Sequence, residues 1–172
     1  MLRRTPSQTA GPFFSIGLCS RPESELVAPG SEGALEIAGR VLDGGGEGVP
    51  DSLVEIWQAD GEGRYRDAFG WGRCGTAPDG GFRFVTVKPG SVPADDGRPQ
   101  APHVNVLVFA RGLLKPVYTR MFFPDEESND KDPVLSALAE PDRALLIAGD
   151  VGGRLRFDIR LQGERETPFF TP

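Results

Sequence analysis

The sequence has few of the residues from which metal sites and nucleophilic catalytic sites are usually built. It contains one histidine, His103, and two cysteines, Cys19 and Cys74. A dedicated zinc site needs three or four Cys, His or carboxylate ligands, and a serine or cysteine nucleophile usually needs a histidine base. No G-x-S-x-G sequence surrounds a serine. The chain is therefore poorly equipped for either kind of chemistry by itself.

Other features are missing as well, and each excludes a class of function. The net charge is −6, which argues against a nucleic acid or an anionic membrane as partner, because both need a basic face. An anionic substrate would have to be held by locally placed arginines. The glycines of 44–48 lack the lysine of a phosphate-binding loop.

The N-terminal sequence and the length of the apolar runs predict the cellular location of the chain. No apolar run approaches the roughly 18 residues of a membrane span, and the opening MLRRTPSQT has no apolar core for export. With so few cysteines we expect free thiols and a soluble cytoplasmic protein.

Glycine and proline, by contrast, are abundant. The 172 residues include 23 glycines and 16 prolines, which is typical of many short strands joined by tight turns. Alternating or apolar runs predict seven strands: Ala34–Asp43, Ser52–Gln58, Phe82–Val87, Val104–Phe109, Val117–Phe123, Ala144–Gly149 and Arg154–Gln162. We therefore expect an all-β chain, an antiparallel β-sandwich of about seven to eight short strands with long loops.

The rest of the chain reads as connections within a single domain, residues 1–172. Residues 1–33 form an extended N-terminal arm and loops, and residues 64–73 form a long loop. The Asp79-Gly-Gly81 sequence is a hairpin signal, and residues 124–132 are a solvated acidic loop. One short helix over Pro133–Leu138, ended by Pro141, is the only helix predicted.

The stretch around the only histidine carries the strongest chemical signal. His103 and Asn105 are two residues apart at the start of an apolar strand, so their side chains point to the same face. An H-x-N pair on one face of a buried strand looks like a metal site that has lost a ligand.

Six segments in order identify a family. They read TPSQTAGPFF, LVEIWQADGEGRY, GWGRCGT with PDGGFRF and TVKPG, APHVNVLVFARG, TRMFF, and RFDIRLQGERETPFF. Together they resemble the α subunits of the intradiol ring-cleaving dioxygenases across nearly the whole chain. This family cleaves an ortho-diphenol between its hydroxyl-bearing carbons with Fe(III) and O₂. The resemblance implies a hetero-oligomer in which a homologous β chain holds the iron.

The resemblance also implies which metal-site positions have changed. The family holds iron with two tyrosines and two histidines, and this chain cannot supply that set. Its H-x-H sequence is His103 and Asn105 here, and the tyrosine that follows K-P-G is Val92. Tyr65 and Tyr118 are not assigned to a ligand position. We expect a relic of the site, without metal.

A substrate role is implied for two other places. The family's T-A-G-P-Y segment borders the substrate, and here it consists of Thr9, Ala10, Gly11, Pro12 and Phe13. Phenylalanine replaces the family's frequent tyrosine, so a hydroxyl is missing from that ring. Arg111, in F-A-R-G, matches an arginine that resembles a partner for the substrate carboxylate, and a guanidinium suits that role.

Two alternatives remain from the sequence. One is an active homomer that uses His103, which the ligand count disfavours. The other is a catalytically inert, transthyretin-like β-sandwich module for binding or structure, which would not need T-A-G-P-F or A-P-H-V-N-V. The paired phenylalanines near both ends, at 13–14 and 169–170, are expected at a subunit interface.

Overall fold

The computed structural model of this protein describes residues 4–19 and 23–171. Two α-helices are present in that part of the chain: α1 (Pro12–Leu18) and α2 (Glu140–Leu145). The strands are β1 (Ala34–Leu42), β2 (Leu53–Trp57), β3 (Trp71–Gly75), β4 (Gly81–Val87), β5 (Val92–Pro93), β6 (Pro99–Gln100), β7 (His103–Phe109), β8 (Val117–Phe122), β9 (Gly149–Val151), β10 (Arg154–Arg156) and β11 (Ile159–Arg160). Short 3₁₀ helices span Glu127–Lys131 and Leu135–Ala137.

The first sheet is organised around β1. Strand β4 pairs with one edge of β1 in antiparallel register, with Ile37 opposite Phe84. The other edge takes β10 and then β11, both parallel to β1, and β9 pairs antiparallel with β10. These two parallel pairs stand within a sandwich that was predicted as antiparallel and whose other strand pairs are antiparallel. Strands β10 and β11 are separated from β1 by more than 100 residues, so no tight hairpin requires them to run antiparallel to it.

The second sheet has the order β3-β2-β7-β8, and every pair in it is antiparallel. Strand β7 is central and carries the apolar run predicted as buried. A separate ribbon of two short strands, β5 and β6, precedes it. The predicted β-sandwich is thus confirmed, although five of its strands are only two or three residues long.

The core lies between the two sheets. Alternate residues of each strand point into it, among them Ile37 and Phe84 from the first sheet and Val54, Val106 and Val108 from the second. A smaller cluster of Ala101, Phe122, Leu135 and Leu146 lies where the second sheet meets the segment after β8. Apolar burial on two sheet faces explains why period-two patterns predicted these strands correctly.

A close approach at Gly39 separates β10 from β11. A Cβ atom at this position would lie 1.8 Å from the carbonyl oxygen of Phe157. The Phe157 amide donates to Ala38, and the Arg40 amide donates to the Asp158 carboxylate at 3.0 Å, in place of a backbone pair. The strand predicted over Arg154–Gln162 is therefore two short strands with a bend between them.

The N-terminal arm contains a helix that was not predicted. Helix α1 begins at Pro12, where the fixed φ and missing amide hydrogen of proline cost nothing. Phe14 packs on Phe109 of β7, with ring centroids 5.7 Å apart. Tertiary packing therefore selects the helix over the irregular arm that the sequence favours.

The segment after β8 also differs from its prediction. The acidic residues 124–132 are only partly solvated, because Asn129 and Asp132 are buried. The Asp132 carboxylate accepts from the amides of Ala101, Val134 and Leu135. Only Leu135–Ala137 of the predicted helix forms, as a 3₁₀ turn.

Pro141 begins a helix rather than ending one. It lies in the first turn of α2, with acidic residues near the helix start and Arg143 near its end. The strand predicted over Ala144–Gly149 is consequently helix as far as Leu145 and a single parallel β-bridge between Ile147 and Phe122 of β8, and a regular strand starts only at Gly149.

Two connections differ from the sequence prediction. Residues 71–73, expected at the end of the loop 64–73, form the first part of β3. The turn at Asp79-Gly-Gly81 joins β3 of one sheet to β4 of the other, so it connects the layers rather than a hairpin. Across the described residues, no helix is long and apolar enough to cross a membrane.

Candidate functional site

The outer face of the second sheet carries the H-x-N pair. Strand β7 sends Val104, Val106 and Val108 into the core, so His103 and Asn105 lie on the opposite face, as predicted. In the register of the sheet, Asn105 is opposite Trp57 of β2 and Arg120 of β8. The Asn105 side chain is buried among these neighbours, and the residue is only 6% exposed.

Asn105 is the centre of a hydrogen-bond network. Its Oδ1 accepts from the Tyr118 hydroxyl at 2.6 Å. Its Nδ2 donates to the Trp57 carbonyl at 3.0 Å and to the Tyr65 hydroxyl at 3.2 Å. Both ends of the amide are thus satisfied, as burial requires.

Arg120 continues this network. Its Nε donates to the Tyr118 hydroxyl at 2.9 Å, and its Nη1 donates to Gln100 Oε1 at 2.5 Å. Gln100 lies on β6, opposite Val92 of β5. The third degenerate position, Val92, is buried in this ribbon opposite Gln100, and its side chain has no ligand atom.

His103 is buried and neutral. Its Nδ1 donates to the Ala101 carbonyl at 2.8 Å, which sets the tautomer. Burial, followed by the nearby charge of Arg120, lowers the pKa of His103 from 6.5 to about 4. The Ala101 carbonyl and Asp132 act in the opposite direction.

These groups do not fit a ferric ion. An amide that is already bonded at both ends stands where the family has a second histidine, and a permanently charged guanidinium is bonded to one of the two phenols. Within residues 4–19 and 23–171, no three or more His, Cys, Asp and Glu side chains form a group that could hold a metal.

Sequence reasoning named His103 and Asn105 but missed their partners. Tyr118 and Arg120 are two residues apart on one strand, a spacing that places both on one face. That signal was available in the sequence. Tyr65 lies on a loop, where no periodicity predicts its position, and Gln100 lies on a two-residue strand.

The proposed arm residues meet the turn that contains Arg111. The Thr9 hydroxyl accepts from the Gly112 amide at 2.7 Å and is 3.4 Å from the Ala110 carbonyl. Gly112 has a φ of 91°, which glycine adopts without strain. Thr9 therefore ties the arm to the residues on both sides of Arg111.

The arm residues and Arg111 line two neighbouring clefts. Thr9, Ala10 and Phe14 line a cleft of about 400 Å³. Arg111 lines a second cleft of about 320 Å³ with the 43–50 turn and Gln162. Leu113 borders both clefts, so they lie side by side at one end of the second sheet.

Arg111 is exposed and carries an unneutralised charge. Among the side chains that the structure describes, no carboxylate lies within ion-pairing distance of its guanidinium. Of the other 13 arginines that the structure describes, eight have such a partner. Arg73, for example, binds Glu55 at 2.6 Å, as an ion pair rather than a substrate contact.

Phe13 points away from the chain and is 88% exposed, whereas Phe14 packs on β7. The Gly11 carbonyl accepts the Phe14 amide at 2.8 Å and starts the helix. The C-terminal aromatic pair behaves differently. Phe169 packs on the main core and Phe170 on Tyr118, so contacts within the chain account for their burial.

Two other features lie apart from these clefts. Cys19 and Cys74 are free, and burial raises the pKa of both thiols, so neither is a reactive thiolate. A larger cleft of about 540 Å³ lies on the first sheet. Its Arg156 is paired with Asp158, and it shares no residue with the arm or the network.

Comparisons with known proteins agree with this geometry. The family described as dioxygenase matches residues 25–163. The chain is 43% identical to the protocatechuate 3,4-dioxygenase alpha chain of Pseudomonas putida, over 99% of this chain and 97% of that one. It is 35% identical to the protocatechuate 3,4-dioxygenase beta chain of Burkholderia cepacia, over 78% of this chain and 66% of that one.

A solved structure supports the same fold. The dioxygenase domain of a dioxygenase and carbohydrate-binding protein fusion from Streptomyces sp. SirexAA-E superimposes with a TM-score of 0.67 and 27% identity. The match covers 94% of this chain and 99% of that domain.

Proposed function

Since this chain belongs to the intradiol ring-cleaving dioxygenase family, we propose that it is the α subunit of a protocatechuate 3,4-dioxygenase. The enzyme would cleave protocatechuate with O₂ to 3-carboxy-cis,cis-muconate. The observation that carries the proposal is the match to an alpha chain over almost the full length of both proteins. Fe(III) would be held by a homologous β chain, and this chain would complete the active site.

Arg111 is proposed to bind the substrate carboxylate. It is exposed, it has no carboxylate partner in the described part of the chain, and it lines a cleft beside the arm. A guanidinium can bind a carboxylate through two parallel hydrogen bonds. Because the chain has a net charge of −6, a local cation is needed to attract an aromatic acid.

The arm is proposed to form one wall of the substrate site. Thr9 uses its hydroxyl to fix the arm to the Arg111 turn, so Thr9 acts by positioning. Gly11 and Pro12 allow the backbone to approach a small ring closely, and Phe13 supplies apolar surface. The exposure of Phe13 supports this assignment, since its ring is available to groups outside the chain.

Two observations favour a partnered enzyme over the alternatives. The residues around His103 do not fit iron, which disfavours an active homomer. Membership of a dioxygenase family over residues 25–163 disfavours an inert transthyretin-like module. A β chain that carries two tyrosines and two histidines is therefore the partner that we propose.

The test is Arg111→Ala in the assembled αβ enzyme. We expect KM for protocatechuate to rise about 10- to 100-fold, since hydrogen bonds to a charged group contribute roughly 1.5–3 kcal/mol. The iron content should not change, because Arg111 is proposed to bind the substrate carboxylate and not the metal. Arg111→Lys should give an intermediate KM, since it keeps the charge and loses the planar fork.

Arg154→Ala is the matched control, because Arg154 is an exposed arginine on the first sheet. It should leave KM unchanged. An Arg111→Ala enzyme with the kinetics of wild type would refute the assignment of Arg111. A wild-type αβ assembly that does not turn over protocatechuate at all would refute the proposed function.

A further inference from the structure

Arg120 is an unusual cation for a partly buried site. Its guanidinium is held by two neutral groups, the Tyr118 hydroxyl at 2.9 Å and Gln100 Oε1 at 2.5 Å. No carboxylate of the described chain is close enough to form an ion pair with it. A charge removed from water without a counter-ion is costly, so its retention here requires an explanation.

The groups around Arg120 are nearly those that bind ferric iron. Position 105 lies between two phenols, within 2.6 Å of the Tyr118 hydroxyl and 3.2 Å of the Tyr65 hydroxyl. His103 lies two residues away on the same face of β7. Asn105→His would therefore place an imidazole between two phenols and on the same strand face as His103, and both kinds of group are good ligands for iron.

We propose that Arg120 is a built-in cation that keeps iron out of this cluster. The guanidinium is always charged, so it repels a trivalent ion at short range in a poorly solvated site. It also donates a hydrogen bond to the oxygen of Tyr118, and so competes with a metal for that oxygen. The missing ligand at Asn105 and the positive charge of Arg120 therefore both oppose iron binding.

This inference rests on the proposed function for its biological meaning. If iron belongs to the β chain, a competing site on a homologous α chain would divert it. The physical claim is about this chain alone, however. It can fail without affecting the proposed function, which is tested by the kinetics of the assembly.

The experiment compares iron binding by full-length variants purified without a partner. Asn105→His, Arg120→Met and the double variant are incubated with ferric citrate and desalted. Iron per chain is then measured, together with the visible charge-transfer band of iron-bound tyrosinate. We expect little iron and no band for wild type and for Asn105→His, and close to one iron per chain with a band for the double variant. The double variant should bind at least about 100-fold more tightly than Asn105→His.

Arg120→Lys in the Asn105→His background separates charge from shape. It keeps the cation but not the fork, so it should still exclude iron. Arg120→Gln can replace Arg120→Met if the methionine variant does not fold, because an amide can still donate to Tyr118. The far-ultraviolet circular dichroism of every variant should match that of wild type.

Three results would overturn the proposal. The first is tight iron binding by Asn105→His alone. The second is iron binding by the lysine variant that equals that of the neutral one. The third is a folded, neutral double variant that still takes up no iron.

Discussion

Asn105 is defined by partners from three parts of the chain. Its amide bonds to Trp57 on β2, to Tyr65 on the following loop and to Tyr118 on β8. The Trp57 and Tyr65 rings also contact each other, with centroids 4.6 Å apart and planes tilted by 41°. A single amide therefore holds the loop against the sheet, which gives Asn105 a structural role where the family has a ligand.

The neutral state of His103 makes stability depend on pH. The folded chain protonates His103 only near its pKa of about 4, whereas the unfolded chain does so near 6.5. Between these values the unfolded state binds more protons, so the free energy of unfolding falls as pH falls. The loss should reach roughly 3 kcal/mol by pH 4. His103→Gln should remove this part of the pH dependence.

The measurement is urea denaturation of both proteins from pH 7.5 to pH 4. Acidic side chains also titrate in this range, so the difference between wild type and His103→Gln reports the histidine. Parallel pH profiles for the two proteins would contradict a buried, neutral imidazole.

At the residue scale, the sequence predicted correctly those side-chain directions that the alternation along a strand determines. It placed His103 and Asn105 on one face correctly, because both lie in one strand. It could not place Tyr65, whose position depends on the path of a loop. Nor could it show that Arg120 has neutral partners, since these come from β6 and β8.

At the scale of elements, Gly39 allows two strands to share one edge of β1. The carbonyl of Phe157 occupies the space that a side chain at position 39 would need. Gly39→Ala should therefore lower the free energy of unfolding by more than about 4 kcal/mol, because the backbone of β1 or Phe157 would have to move. Guanidinium denaturation measures the change.

Gly149→Ala provides the control, because nothing lies within 4 Å of a Cβ atom built at Gly149. Its stability should stay within about 0.5 kcal/mol of wild type. If Gly39→Ala were as stable as Gly149→Ala, the chain would have to bend differently at Phe157.

The elements that the sequence missed are those that depend on contacts outside their own segment. Strands with a strong period-two pattern, such as β1, β2, β4 and β7, were predicted closely. Helix α1 exists because Phe14 packs on β7, and β3 because it pairs with β2. Neither partner is visible within the short sequence of the element itself.

At the scale of the molecule, helix α1 carries an uncovered apolar surface. Phe13 and Ile16 of α1 are 88% and 68% exposed. We expect the β chain to cover them in the assembly, since apolar side chains in the core of an interface contribute through burial. Phe13→Ser with Ile16→Ser should weaken association about 10- to 100-fold.

Association is measured by sedimentation of α chain mixed with β chain at several concentrations. Val151→Ser is the control, because Val151 is also exposed, at 61%, but lies on the first sheet. The double variant should keep the unfolding midpoint of wild type. Unchanged association would show that α1 faces solvent in the enzyme.

The return of the C-terminal strands to β1 also has a consequence for synthesis on the ribosome. Arg40 and Asp158, which are hydrogen-bonded, are 118 positions apart. Until residue 160 has left the exit tunnel, one edge of β1 has no partner, although β4 can already pair with the other. Such distant contacts slow folding, and an open strand edge invites pairing with other chains. The nascent chain is thus prone to aggregation from the emergence of β1 until β10 and β11 can pair with it.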